Sequence, residues 1–453
     1  MRLYLRPNIQ PCNLTATLKK PTLHSCTNTT AYLLPSCSNK NLLKIQTKKT
    51  LDVLLRPLES TQNQISDYAP ARPTARLGKR WMEYQGVSNW EGLLDPLDNN
   101  LRREILRYGN FVEAAYKAFD LDPSSPTYAC RRYSKGSLFE RCGLPYTGYQ
   151  ITKNLWVTSG VTLPGWVDKA PSWMSVKSSW IGYVAVCNDK DEIARLGRRD
   201  IVIALRGTCT CMEWLENLRA PLAALPSEEE TNDDVVKGSR DISSCPQQQP
   251  MVESGFLSLF TSRSSSYPSL QEMLREEIAR LVQTYGDEPL SLTITGHSLG
   301  AALGTLAAYD IQTSIKGAPF VTVISFGGPR VGNIGFRSLV ERLGTRVLRI
   351  VNSDDVVTRV PGFTVEDMGQ LASDEGFHVT GLPGLIRKYV RDTWLVYAEI
   401  GEELRLSSRN SPYVMWMDPI TCHDIKTYLH LVDGFVSSKC PLRATTRKLQ
   451  LAL

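Results

Sequence analysis

Residues 293–311 read TITGHSLGAALGTLAAYDI, one serine between two glycines followed by small and apolar residues. Ser298 fits the pattern G-x-S-x-G, in which a hydroxyl becomes a nucleophile once a sharp turn lifts it clear of the backbone and a base takes its proton. The context suits that chemistry. LSLTIT (290–295) reads as a strand and LGAALGTLAAYDIQTSI (299–315) as a helix. A strand running into the serine and a helix running out aim the helix N-terminus at the same spot. Gly296 and Gly300 stand where a side chain would collide across so tight a turn. Ser298 as a simple helix cap is the competing reading.

A nucleophilic serine needs a base, and the chain has only five histidines, His24, His297, His378, His423 and His430. His24 lies near the N-terminus, and His297 adjoins the serine with its side chain expected to turn away. Hydrolases built on such a turn place the acid and then the histidine after the serine, which leaves His378, His423 and His430. IVNSDDVVTRVPG (350–362) supplies Asp354 and Asp355 just past a strand. A carboxylate there would orient an imidazole and stabilise its cation.

These residues must be carried by a sheet. WIGYVAV (180–186), DIVIALRG (200–207), LSLTITG (290–296), FVTVISFGG (320–328) and TRVLRIVN (345–352) are short β-rich runs, with LQEMLREEIARLVQTYG (270–286) and 299–315 as helices between them. Such alternation predicts an α/β fold with a mostly parallel sheet covered on both faces. In 101–119, Leu101, Ile105, Tyr108, Val112, Ala115 and Phe119 mark one face of an amphipathic helix. The window 289–309 lacks charged residues and is long enough to span a bilayer, but its Thr, Ser, His and Gly residues read as strand, turn and helix.

Charge is unevenly placed. The net charge is +6, yet residues 1–50 carry eight Lys/Arg, eleven Ser/Thr and no acid, leaving 44 basic against 46 acidic residues in the remainder. That leader has the composition of an organelle transit peptide, with chloroplast favoured over mitochondrion because Ser, Thr and Lys outweigh Arg. The balanced remainder gives no case for a nucleic-acid partner. Eleven cysteines lack a disulfide-framework spacing, and Cys209 and Cys211 have no second ligand pair for zinc, so no metal is implied.

The motifs RGTCTCMEWLENL (206–218), SGFLSLF (254–260), GHSLGAALGTLAAYDI (296–311), SFGGPRVGN (325–333), NSDDVVTRVPG (352–362) and CHDIKTYLHLVDGF (422–435) stand in an order that resembles the class 3 (fungal-type) lipases, and within them the plant chloroplast phospholipase A1 group. The resemblance covers roughly 81–435. It implies an α/β-hydrolase fold with a helical N-terminal extension. By motif register it selects Asp355 over Asp354 as the acid and His423 over His430 as the base, with His378 structural or on the pocket rim. It also implies an oxyanion hole from the Leu299 backbone N–H and Thr208, and a lid carrying Trp214, Leu215 and Leu218. VESGF departs from the family, with Glu253 where relatives often have His; this bears only on local packing.

The expected organisation is a transit peptide over 1–50, a linker over 51–80, a helical extension over 81–140, a hydrolase domain over 141–436 with a polar insertion at 219–250, and a basic tail over 437–453. The resemblance implies a cofactor-free serine acylhydrolase that cleaves the sn-1 acyl ester of phosphatidylcholine or galactolipids at a membrane surface. The released fatty acid would feed oxylipin or jasmonate synthesis. A triacylglycerol lipase, a general carboxylesterase, an acyltransferase or a non-catalytic lipase-fold module would use the same residues. Oligomeric state is left open.

Overall fold

The computed structural model describes residues 76–161, 176–210, 221–225, 249–361, 397–411 and 419–439. All of them belong to one compact unit, Ser66–Leu453. The leader, most of the linker, the C-terminal tail from 440, His378 and the lid residues Trp214, Leu215 and Leu218 lie outside the described residues.

Nine strands are described: β1 Tyr149–Thr158, β2 Ser178–Cys187, β3 Arg199–Leu205, β4 Leu222–Ala224, β5 Met251–Glu253, β6 Leu290–His297, β7 Phe320–Phe326, β8 Arg346–Asn352 and β9 Glu402–Leu406. Seven form one sheet in the order β1-β2-β3-β6-β7-β8-β9. From β3 to β9 every pairing is parallel, while β1 and β2 add an antiparallel edge. Strands β4 and β5 pair separately and join the two ends of the expected polar insertion, of which 226–248 lies outside the described residues.

The inner strands are apolar on both sides because both faces are covered. In β3, Val202 and Ala204 enter one core while Ile201, Ile203 and Leu205 enter the other. Helices α1 (Asn99–Ala118) and α7 (Ile425–Gly434) cover the first face. On the second lie α2 (Ser254–Thr261), α3 (Leu270–Tyr285), α4 (Leu299–Ser314) and α5 (Ile334–Arg342). A short helix, α6 (Pro419–His423), precedes α7. This is the α/β-hydrolase arrangement. The uncharged window 289–309 divides into β6 and α4, and no helix among the described residues is long and apolar enough to cross a membrane.

Helix α1 packs directly on this sheet. Asp98 caps it by accepting from the Asn100 and Leu101 amides at 2.8 and 3.0 Å. Its apolar face buries Leu101, Ile105, Tyr108, Val112 and Ala115. A buried polar cluster then ties it to three strands. The Asp200 carboxylate of β3 accepts from Tyr108 of α1 at 2.9 Å, Tyr149 of β1 at 2.8 Å, and Ser291 and Thr293 of β6 at 2.7 and 3.1 Å. Arg107 and Arg198 lie 3.5 and 3.7 Å away. Burial, the largest influence, pushes the Asp200 carboxyl up, but Arg198, Arg107 and the hydroxyl donors outweigh it and hold it below the usual range.

Removing that carboxylate takes the ion-pair partner from the buried Arg198 guanidinium, while Arg107 keeps Glu104, so Asp200→Ala is expected to cost about 3–5 kcal/mol in urea unfolding. The folded carboxyl titrates below its unfolded value of about 3.9. Its stabilisation is therefore complete above that pH and is lost as the pH falls through the depressed folded value. Acid unfolding of the variant should accordingly lack this component; equal unfolding free energies for the two proteins at neutral pH would refute the assignment.

Candidate active site

The site forms where β6 ends against α4. Ser298 sits between them at φ 55° and ψ −124°, a region that L side chains rarely occupy. Its amide donates to Phe326 O at 3.0 Å and its carbonyl accepts from Ala301 N at 3.0 Å. The turn closes only with glycine on either side. A Cβ on Gly300 would lie 2.5 Å from the carbonyl oxygens of Leu205 and Arg206, and one on Gly296 would lie 2.3 Å from Gly300 O. Backbone oxygens held in a sheet cannot move aside, so α4 starts in contact with the end of β3.

The Ser298 hydroxyl is 2.8 Å from His423 Nε2. His423 closes the short helix α6, and its Nδ1 lies 2.7 Å from Asp355 Oδ2. Asp355 is fully buried just past β8. Its Oδ1 accepts from Val357 N at 2.9 Å, and its Oδ2 also accepts from the Tyr428 hydroxyl at 2.7 Å. Burial, followed by the charge of Asp355, raises the Tyr428 phenol well above its ordinary value, so it remains a donor. Donors on both oxygens leave the carboxylate one orientation. In it, Oδ2 faces the imidazole N–H, and the other ring nitrogen is left to accept from the serine.

The other candidates are engaged elsewhere. The Asp354 carboxylate accepts from Ser407 and Ser408 at 3.0 and 2.9 Å and pairs with Arg409 at 2.7 Å. Burial pushes it up, yet the Ser408 and Ser407 hydroxyls and Arg409 hold it below the usual range. The His430 Nε2 meets Ser411 Oγ at 3.0 Å, and burial lowers its pKa. His430 therefore does not share the site with His423. Glu253, the departure noted above, caps α2 by accepting from Phe256 N at 2.5 Å.

The two expected oxyanion donors belong to segments that adjoin the serine. Leu299 opens α4, so its N–H has no intrahelical acceptor. Thr208 follows Gly207, which runs so close to the nucleophile that a Cβ there would sit 2.9 Å from Ser298 Cβ. Arg206, fully buried, anchors this loop by donating to Trp180 O at 2.9 Å and Gly207 O at 2.7 Å.

The sequence reading missed three residues here. Tyr428 was visible as a motif position but not as a partner of Asp355. His297 was expected to turn away, but its ring centroid lies 4.6 Å from that of His423. Tyr116 of α1 meets His297 Nδ1 at 2.7 Å. No local signal marks Tyr116, because its partners lie 91 and 181 residues further along the chain.

The profile of the family Lipase (class 3) matches residues 202–365. The chain is 58% identical over 414 residues to phospholipase A(1) DAD1, chloroplastic, of Arabidopsis thaliana, spanning 91% of this chain and 89% of that one. The chain belongs to the class 3 lipase family. Galactolipase DONGLE, chloroplastic, also of Arabidopsis thaliana, is 38% identical over 81% of this chain and 72% of its own length. The solved triacylglyceride lipase of Rhizomucor miehei is 19% identical, with a TM-score of 0.37 over 58% of this chain and 76% of that one. In a class 3 lipase, a serine, an imidazole and a buried carboxylate in line are competent for acyl transfer through a covalent intermediate.

Asp355→Asn, which presents the wrong hydrogen-bond pattern to the imidazole, is expected to lower kcat by roughly 10⁴-fold. Asp354→Asn and His430→Asn should keep kcat near the wild-type value on the same ester substrate. A large kcat loss in Asp354→Asn with little in Asp355→Asn would reverse the assignment.

Proposed function

We propose that the chain is a serine acylhydrolase that cleaves the sn-1 acyl ester of polar glycerolipids, phosphatidylcholine or galactolipids. The observation that carries this reading is the hydrogen-bonded line Ser298–His423–Asp355 on a strained turn, in a chain 58% identical to a phospholipase A1.

The chemistry follows from the geometry. His423 Nε2 takes the Ser298 proton as Oγ attacks the ester carbonyl. Asp355 holds the Nδ1 proton and stabilises the imidazolium as it forms. The Leu299 N–H, at the positive end of α4, and Thr208 receive the charge that develops on the carbonyl oxygen. The alcohol leaves with the proton from His423, and the resulting lysolipid departs. Water, deprotonated by the same imidazole, then releases the fatty acid and regenerates Ser298.

Around this centre we assign Trp214, Leu215 and Leu218 to a lid over the site. Residues 1–50 are read as a plastid-targeting leader and 51–80 as a linker. A helical extension over 81–140, a hydrolase domain over 141–436 and a basic tail over 437–453 complete the organisation. The plastid assignment draws on the acid-free leader and on the chloroplastic relatives. Peripheral contact with a lipid surface supplies the substrate, and the released fatty acid is available for oxidation to signalling lipids.

Acyl-position-resolved analysis of products from phosphatidylcholine, galactolipid and triacylglycerol tests the reading. Fatty acid released from sn-1 of a polar lipid is the expected result. Preference for triacylglycerol, with little cleavage of polar lipids, would make the protein a triacylglycerol lipase instead. Ser298→Ala should lower kcat by on the order of 10⁶-fold.

A further inference from the structure

One buried feature near the centre is not used by the mechanism above. The Gly207 N–H donates to the Tyr116 hydroxyl at 2.7 Å. That hydroxyl lies 2.7 Å from His297 Nδ1, and His297 Nε2 lies 2.7 Å from the backbone oxygen of His423. One arrangement of protons satisfies all three contacts. An amide can only donate, so Tyr116 accepts from Gly207 and gives its single proton to Nδ1. A carbonyl can only accept, so His297 carries its proton on Nε2. The imidazole is therefore neutral. Burial, and then the neighbouring His423, also pull its pKa well below the ordinary value.

We propose that Tyr116 and His297 are positioning residues, forming a neutral strut that couples the oxyanion loop at Gly207 to the backbone of the base at His423. The strut rests on the assignment of Ser298 and His423 as nucleophile and base. It spans the two parts of the centre that come from distant stretches of chain, the end of β3 and the end of α6. A helix outside the sheet, α1, supplies its middle hydroxyl. The His297 ring, 4.6 Å from His423 and tilted by 39°, also occupies the space beneath the base. A proton on His297 would place a second cation beside the imidazolium formed during attack, and the strut's hydrogen bonds exclude it.

Misplacing a reacting group by about 1 Å costs roughly 10²-fold in rate, so loosening the strut should act on kcat. The test uses the full chain, a chromogenic short-chain ester, and a phosphonate that esterifies the nucleophile and counts intact sites at its endpoint. Tyr116→Phe is expected to lower kcat per titrated site by roughly tenfold, with KM close to the wild-type value. His297→Ala should lower it further. In the double variant the two losses should combine to less than their product, because both residues act through one strut. A purely structural role would reduce the titrated fraction or the melting temperature and leave kcat per titrated site unchanged. Wild-type kcat per site in Tyr116→Phe overturns the proposal, and so do losses that multiply fully. Ser298→Ala, run alongside, should neither hydrolyse the ester nor take up the phosphonate. If it still hydrolyses, the nucleophile assignment has failed. An inactive Ser298→Ala beside a fully active Tyr116→Phe sinks the strut alone.

Discussion

Ser298 is held at φ 55°, a conformation that costs on the order of 1–3 kcal/mol and persists only where the surroundings over-determine it. What holds it is the approach of α4 to the end of β3, so close that Gly300 meets the Leu205 and Arg206 carbonyl oxygens. The same contact aims the positive end of α4 at the serine and brings the Gly207 loop beside it. The proposed nucleophile and the proposed oxyanion donors thus share one geometric cause, the absence of a side chain at Gly300.

Around that turn the fold works as a set of braces. On one side, Asp355 is oriented by Val357 N–H and Tyr428 before it meets His423. Tyr428 comes from α7, which packs with α1 in the core on that face of the sheet. At the opposite end of the strands, Asp200 binds α1, β1 and β6 together through buried hydroxyls. Helix α1 is therefore fixed at its middle, through Tyr108, by a buried carboxylate, and near its C-terminal end it offers Tyr116 to the site. A segment that reads as an extension of the catalytic body is packed into it.

The parts of the fold legible in the sequence share a physical cause. Strands β2, β3 and β7 are buried on both faces and so read as near-continuous apolar runs, while β6 and β8 still show enough Leu, Ile and Val between their polar residues to be read as strands. Four strands escaped notice: the three-residue β4 and β5, too short to show a pattern, and the two edges of the main sheet, β1 and β9. Strand β1 (YQITKNLWVT) carries Gln150, Lys153 and Asn154, and β9 (EELRL) alternates charge with leucine, because an edge strand has a side facing water. Their polarity hides the pattern that reveals the inner strands. His297 was misread for a related reason. Adjacency to the serine predicts its direction along β6, but His423 arrives from 126 residues further on and settles over its ring.

By itself the sequence determined which residue types could do chemistry and the order in which the chain presents them: a serine on a glycine-flanked turn, an aspartate pair after a strand, and a histidine near the C-terminal helix. These are local properties, set by backbone sterics and by the period of apolar residues. The partner of each was decided only by the tertiary structure. Asp354 and Asp355 are chemically alike, and the turn after β8 sends one to Ser407, Ser408 and Arg409 and the other to His423. His423 and His430 are likewise both imidazoles, and α6 and α7 deliver one to Ser298 and the other to Ser411. A hydrogen bond depends on placement to within a few tenths of an ångström, and no composition or spacing along the chain specifies that.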